Sequence, residues 1–383
     1  MKLYTLFFFV AFVFLFESCI SNDKKKRVEL KVTESNFKIV DSIVIKEPNI
    51  FLKAKQADKL LFIRTSNQDI ILYDLKNKKL SKINVFGDGP EKVSMPLGYN
   101  IGFLSDSLIW VSNINAVLKY NFAGKFQGKY AVINENTYAP LLNVTLKDSA
   151  LIALTFPQGY TNKLSFYENK QTLFLKHDLK NNEQIRFFDF PTEGSNVYTD
   201  DYFLGNNHYF QVNYTETKEE ATFLSAVEPL LFTLDFQKCE ISKKITFSPE
   251  YFAPLKVYFK DKPDNTMIFM QAYMGSVFNG HFIVNERNYV FYSIPYSLEY
   301  MTEFVKTHKN FPFEQAPEIK FALTVFDNEG KKLRDDIVFP TSLGKALLMD
   351  EEGIIYFMKN PTEEDEKKGQ TVYYKVRLTD EKP

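Results

Sequence analysis

"TVYYKVRLTDEKP", residues 371–383, is the beginning of a pattern that the rest of the chain completes five times. A complete copy has an apolar strand ending near Asp or Asn, a Lys/Asn/Gly turn, and a second strand. The copies are "IILYDLKNKKLSKINVF" from Ile70, "VLKYNFAGKFQGKYAV" from Val117 and "TLFLKHDLKNNEQIRFFDF" from Thr172, then "LLFTLDFQKCEISKKITF" from Leu230 and "LTVFDNEGKKLRDDIVF" from Leu323. The copy at the carboxyl end stops before its outer strand. A matching strand stands near the other end of the chain, as "FKIVDSIVI", residues 37–45.

Each copy follows another recurring element, a small polar pair and an apolar run. It reads "ADKLLFIRT" from Ala57, "SDSLIWVSN" from Ser105 and "KDSALIALT" from Lys147. It returns as "NNHYFQVNY" from Asn206, "ERNYVFYSI" from Glu286 and "EEGIIYFMK" from Glu351. One further apolar stretch, such as "NIFLKA", "LLNVTL" or "GKALLM", precedes it. Four strands per unit, six units, and a last unit shared between both ends predict an all-β, six-bladed β-propeller. The amino-terminal strand would close the last blade. Two β-sandwich domains are the alternative, and they leave the sixfold recurrence without a reason.

Composition agrees with sheet. Aromatics make up 16% of the 383 residues, with 38 Phe and 22 Tyr, and the hydrophobic fraction is 45%. With 47 basic and 48 acidic residues the net charge is -1, so no overall field gathers nucleic acid. Cys19 and Cys239 are the only cysteines, too few for a disulfide framework or a thiolate zinc site.

Residues 1–18 read as a lipoprotein signal peptide. Lys2 precedes an apolar run from Leu3 to Phe16, short of the roughly 20 residues that span a bilayer. Phe16-Glu17-Ser18-Cys19 then resembles a bacterial lipobox, with Ser18 as the small residue before Cys19. Phe16 stands where Leu is usual, and Glu17 is a charge where a small residue is expected. Cys19 is therefore expected to carry lipid, which anchors the chain to a membrane. Residues 19–35 are expected to form a polar tether, and 36–383 the propeller. The expected location is the bacterial cell envelope, at the outer membrane on its periplasmic or surface side. An uncleaved amino-terminal anchor with an incidental Cys19 is the other reading.

Two insertions interrupt the fifth unit, where Asp235 and Asp327 hold equivalent turns far apart. Residues 248–275 are aromatic-rich and are expected to cap one face. Residues 295–311 read as a helix that Pro295 could start, with Leu298, Met301, Phe304 and Val305 on one face. Such a helix reads first as packing and second as a partner site.

The chemical signals are sparse. His177, His208, His281 and His308 fall in separate elements with no metal-ligand spacing, and His208 reads as structural. No nucleophile elbow, phosphate loop or calcium loop is present. The run "EEDEKKG", residues 363–369, reads as a solvated loop. The most distinctive loop is "FGDGPEKVSMPLGYNIG", residues 86–102. Gly87, Asp88, Gly89 and Pro90 make a tight turn that reads either as a shaped connection between blades or as a ligand loop, with backbone amides for an anion or Asp88 for a cation.

From this loop through "LSDSLIWVSNINAVLKYNFAGKFQGKY" the chain resembles the six-bladed propeller lipoproteins of Bacteroidetes. The resemblance rests on Gly87, Gly89 and Pro90, then Asp106 and Leu108, then Tyr120, Asn121, Gly124 and Lys125. More narrowly, the length, the lipobox and "ILYDLKNKKL" resemble an uncharacterised Bacteroidetes lipoprotein family with a domain of unknown function. The resemblance implies fold and location and is silent on substrate.

Three functions stay open. The first is an envelope-anchored binding module for a glycan, peptide or protein, with no cofactor. The second is a calcium-dependent hydrolase resembling propeller lactonases, with ligands drawn from Asp88, Asn113, Asp148, Asp200, Asp201, Asn285 and Asp350. Turn chemistry alone also accounts for those residues. The third is an assembly lipoprotein that docks a membrane complex.

Overall fold

A computed structural model describes residues 36–64, 69–93, 101–112, 116–131, 141–147, 150–155, 171–190, 202–203, 210–214, 220–225, 227–255, 258–259, 265–308, 311 and 316–379. Residues 1–35, on which the expected signal peptide, Cys19 and tether fall, lie outside them. The described elements all fall in the compact unit Thr33–Pro383.

That unit is a six-bladed β-propeller of four-stranded antiparallel blades. The chain enters through β1 (Phe37–Ile45) and builds blade one from β2 (Ile50–Gln56), β3 (Lys59–Arg64), β4 (Ile70–Asp74) and β5 (Lys79–Ile83). Blade two is β6 (Ile101–Ser105), β7 (Leu108–Ser112), β8 (Ala116–Asn121) and β9 (Phe126–Ala131). Blade three is β10 (Leu141–Lys147), β11 (Ala150–Thr155), β12 (Gln171–Asp178) and β13 (Glu183–Phe190). After β14 (Tyr202–Phe203), blade four is β15 (Phe210–Tyr214), β16 (Glu220–Ser225), β17 (Leu230–Asp235) and β18 (Glu240–Thr246). β19 (Tyr258–Phe259) pairs with β14 outside the blades. Blade five is β20 (Phe278–Val284), β21 (Arg287–Ile294), β22 (Lys320–Phe326) and β23 (Ile337–Phe339). Blade six is β24 (Lys345–Met349), β25 (Ile355–Met358), β26 (Thr371–Leu378) and, outermost, β1.

The expected closure is present. β1 runs antiparallel to β26 from Phe37 opposite Leu378 to Ile45 opposite Thr371. Val40 is left unpaired between Ile39 and Asp41. That bulge reverses the alternation, because one extra residue exchanges the two faces of a strand. Phe37 therefore joins the core between blades five and six, beside Phe339 and Phe357. Ile43 and Ile45 join the core between blades six and one, with Ile50, Leu52, Phe62 and Tyr373. Tyr373 donates its hydroxyl to the Ile50 carbonyl (2.5 Å), and Lys375 Nζ meets Asp41 Oδ2 at 3.0 Å.

The second strand of a blade is apolar nearly throughout because neighbours cover both its faces. β3, β7 and β21 bury residues on both sides in this way. This rule corrects one assignment in the repeat. The Asn206–Tyr214 element supplies the first strand of blade four rather than the second. Glu220–Ser225, buried at five consecutive positions, is the second strand.

β1 should behave as part of the ring. Ile45→Ala, at a site 1% exposed, should lower unfolding free energy by about 2–5 kcal/mol. Val44→Ala, next to it but 49% exposed, should stay within about 0.5 kcal/mol. Urea unfolding of the two variants separates these outcomes, and equal losses would contradict the register.

Candidate functional site

In a four-stranded meander, the first and third turns fall at one end and the remaining connections at the other. The propeller therefore has a turn face and a loop face. On the turn face, the Asp and Asn residues of the repeat form one device. Asp74, Asn121, Asp178, Asp235 and Asp327 each accept backbone N–H groups from the turn that follows. Those N–H donors favour the charged form, so the Asp74, Asp178 and Asp235 carboxyls sit below the ordinary carboxylate value.

Among the described residues, those considered for calcium do not come together. Asp350 makes the same kind of turn, accepting from the Glu352 and Ile354 amides. Its second oxygen takes the Tyr356 hydroxyl at 3.1 Å and faces Lys55 at 3.4 Å. Asn285 is a left-handed turn residue (φ 50°) between β20 and β21. Asp88 is on the loop face after β5, the outer strand of blade one, and is exposed. Asn113, Asp148, Asp200 and Asp201 lie outside the described residues, as does His208. Among the described residues, no group of three or more His, Cys, Asp or Glu could hold a metal.

Two of the described histidines are buried and one stands at a helix end. His177 and His281 are buried, and each meets one Asn through Nε2, Asn182 at 2.9 Å and Asn288 at 3.1 Å. Burial pushes His281 down to about 4, so it is neutral at pH 7. His308 caps the end of a helix on the loop face.

The Gly87–Pro90 turn is exposed on the connection between blades one and two. Gly87 and Gly89 have φ of 143° and 123°, and open space surrounds Gly89, so backbone freedom rather than crowding requires glycine there. The Gly87 amide donates to the Val93 carbonyl (3.3 Å), and the Lys92 amide donates to the Gly89 carbonyl (3.2 Å). Tyr120 of blade two donates to the Glu91 carbonyl at 2.9 Å. Val85 and Val93 anchor the loop in the core between these blades. These bonds hold the connection between blades one and two in shape.

The loop face also carries both insertions. Residues 248–255 dock on blade five, where the Glu250 amide and the Tyr292 hydroxyl both donate to buried Asp336. The first insertion then forms α1 (Asn265–Met274), a helix the sequence reading did not anticipate. The second forms α2 (Leu298–Thr307), which starts at the Ser297 cap rather than at Pro295. The two helices pack together. The expected apolar face of α2 is only partly covered: Met301 is buried, but Leu298 is 58% exposed.

A ladder of rings explains the rest of the cap. Tyr296, Tyr300, Phe304 and His308 recur at four-residue spacing, and their neighbouring ring centroids are 4.5, 6.0 and 3.8 Å apart. Phe311 meets Phe304 edge-on and links the ladder to Tyr273 of α1. Tyr296 donates its hydroxyl to the Glu318 carbonyl. Phe269, Leu298, Tyr300 and Ile319 remain exposed on or beside this assembly.

The acidic run at 363–369 is not a plain loop. Glu363–Lys367 forms a short helix, α3, opened by a reciprocal capping box between Thr362 and Asp365. Asp365 is buried, while Glu363, Glu364 and Glu366 are exposed. Lys359 at 2.7 Å, then Thr362 and Gln370, bond the Asp365 carboxylate and hold it well below its ordinary value.

No family model matches the chain, and no curated protein matches it. Among solved structures, it is similar to a member of the DUF4221 family from Bacteroides vulgatus. That likeness has a TM-score of 0.62 and 15% identity, covering 90% of this chain and 99% of that one. A putative exported protein from Bacteroides fragilis gives a TM-score of 0.49 at 11% identity, covering 90% and 94%. A calcium-binding protein, regucalcin, from Agrobacterium tumefaciens gives 0.46 at 7%, covering 87% and 93%. The first likeness speaks to the propeller fold alone, and the other two carry no weight.

The Asp365 box makes an acid-sensitive joint. A carboxyl depressed in the folded state stabilises above its unfolded value, about 3.9, and that contribution is lost as pH falls toward the folded value. Wild type should therefore lose more stability between pH 5 and pH 3 than Asp365→Asn does. Urea midpoints across that window check it, and parallel pH profiles would refute the assignment.

Proposed function

We propose that this chain is a lipid-anchored binding module of the bacterial envelope, with its partner surface on the helical cap of blade five. The observation that carries the reading is the cap itself. An aromatic ladder stiffens α2, yet Leu298 and Tyr300 stay 58% and 43% exposed on that helix. Aromatic side chains held rigid in advance lose little entropy on binding, and exposed apolar groups clustered on one element mark interaction surfaces. The edge-on presentation of the rings fits a protein partner better than a sugar, which stacks on an open ring face.

The lipid anchor rests on the sequence from Leu3 to Cys19. Several acyl chains at about 0.8 kcal/mol per buried methylene make a durable attachment. The third candidate, docking of a membrane complex, becomes one form of this reading, with the complex as the protein partner. Asp350 is engaged in its own turn and with Lys55, and Asn285 is a left-handed turn residue, which weighs against metal-dependent hydrolysis at these two positions.

Cys19→Ala should move the protein from the membrane fraction to the soluble fraction; retention at the membrane would remove the anchor. For the partner surface, a photo-crosslinking residue at Leu298 should give a discrete protein adduct in native envelopes. The same residue at exposed Ile241, on an outer strand, should give none. Equal adducts at both sites, or none at either, would defeat the assignment to the cap.

A further inference from the structure

The innermost strands of the six blades are β2, β6, β10, β15, β20 and β24. Within them stand Lys53, Lys55, Lys147, His281 and Lys345, and not a single Asp or Glu. His281 is buried and neutral, so the charge carried by the described side chains of these strands is that of Lys53, Lys55 and Lys345, all positive. Lys55 has a counterion, Asp350, at the turn-face end. Among the described residues, no carboxylate forms an ion pair with Lys53 or Lys345.

The backbone explains why Lys53 reaches the channel. On β2, Leu52 pairs with Phe62 and Ala54 with Leu61, so Lys53 is the unpaired residue of a bulge. Leu52 enters the core between blades six and one, while Ala54 packs against the core between blades one and two. In a regular strand these two would share a face; the bulge sends them apart and leaves Lys53 at the inner edge. β24 lies beside β2, and Lys345 is its first residue, at the loop-face end.

Both lysines are exposed to solvent, yet burial pushes both ammonium groups below the ordinary lysine value, and the charge on Lys345 pushes Lys53 down further. Both stand on innermost strands of adjacent blades, beside the propeller axis rather than on its outer rim. Two cations held near one another there repel, and an anion between them removes the repulsion.

We propose that Lys53 and Lys345 form an anion site in the central channel, matched to a small ligand carrying two negative charges, such as a phosphate monoester or a dicarboxylate. The pair supplies two positive charges from adjacent strands, and Lys345 stands at the end that opens toward the loop face. This site is separate from the helical cap and stands on its own observations.

Calorimetric titration of the full chain tests it, with inorganic phosphate and succinate as probes and chloride at matched ionic strength as the control. Saturable binding of phosphate or succinate is expected, at least tenfold weaker in Lys53→Met and in Lys345→Met and absent in the double variant. Lys38→Met, on the outer strand β1, should bind as wild type does. Without ligand, neither channel variant should melt below wild type, because removing one cation relieves repulsion; this separates loss of the site from loss of fold. Binding no stronger than chloride, or binding that survives in the folded double variant, would overturn the proposal. A response to only one probe would support the site and identify which dianion it prefers.

Discussion

The pairing of β1 with β26 is the constraint on which the rest of the ring depends. Every blade packs its faces on two neighbours, so an open ring would expose two apolar faces at once. β1 addresses both with one strand, because the bulge at Val40 turns Phe37 toward blade five and Ile43 and Ile45 toward blade one. A regular strand could serve only one of those interfaces. Lys375 with Asp41, and Tyr373 with the Ile50 carbonyl, then fix the register from the neighbouring strand and the next blade. The pairing joins positions more than three hundred residues apart, a costly contact to form early, which favours its completion after the blades have formed.

The same irregularity recurs at the centre. β2, β6, β10, β20 and β24 each carry a shift of register along their length. Inner strands converge on the axis, and extra local twist lets them pass without collision. A consequence is that one side chain per bulge leaves the normal alternation. In blade six that residue is Leu347 and in blade five Asn279, whereas in blade one it is Lys53. In blade one the bulge thus places a lysine at a position that backbone geometry selects rather than burial.

These two facts explain what the sequence made legible. The turn acids could be read because an Asx turn needs its Asp or Asn at a fixed offset from the strand, a local requirement that five turns repeat. The closing strand could be read because a unit lacking its outer strand had a spare strand to match. The fourth blade was read one strand out of step, since Phe210–Tyr214 and Glu220–Ser225 both follow polar residues and only burial on both faces tells them apart. The α3 helix was hidden in a run of charges, although Thr362 and Asp365 stand three residues apart with the spacing of a capping box. The helix α1 was missed for the opposite reason: its apolar residues surround the axis and leave no period to detect. Lys53 and Lys345 carried no signal, because a bulge and a neighbour 292 positions away in sequence are tertiary facts.

The two faces of the propeller then divide along chemical lines. On the turn face, connections are short, and the turn acids that shape them accept the turns' own N–H groups, so the chemistry there is largely self-contained. The loop face holds the longer connections, where added chain costs little because loop-closure entropy grows only with the logarithm of length. Both insertions, the Gly87–Pro90 turn and α3 accordingly gather there. Lys345 sits at the same end of its strand, so the proposed anion site and the proposed α2 partner surface lie toward one face. If both proposals hold, a ligand entering the channel from that side would pass the connections of the face that presents the cap, without the two functions sharing a residue.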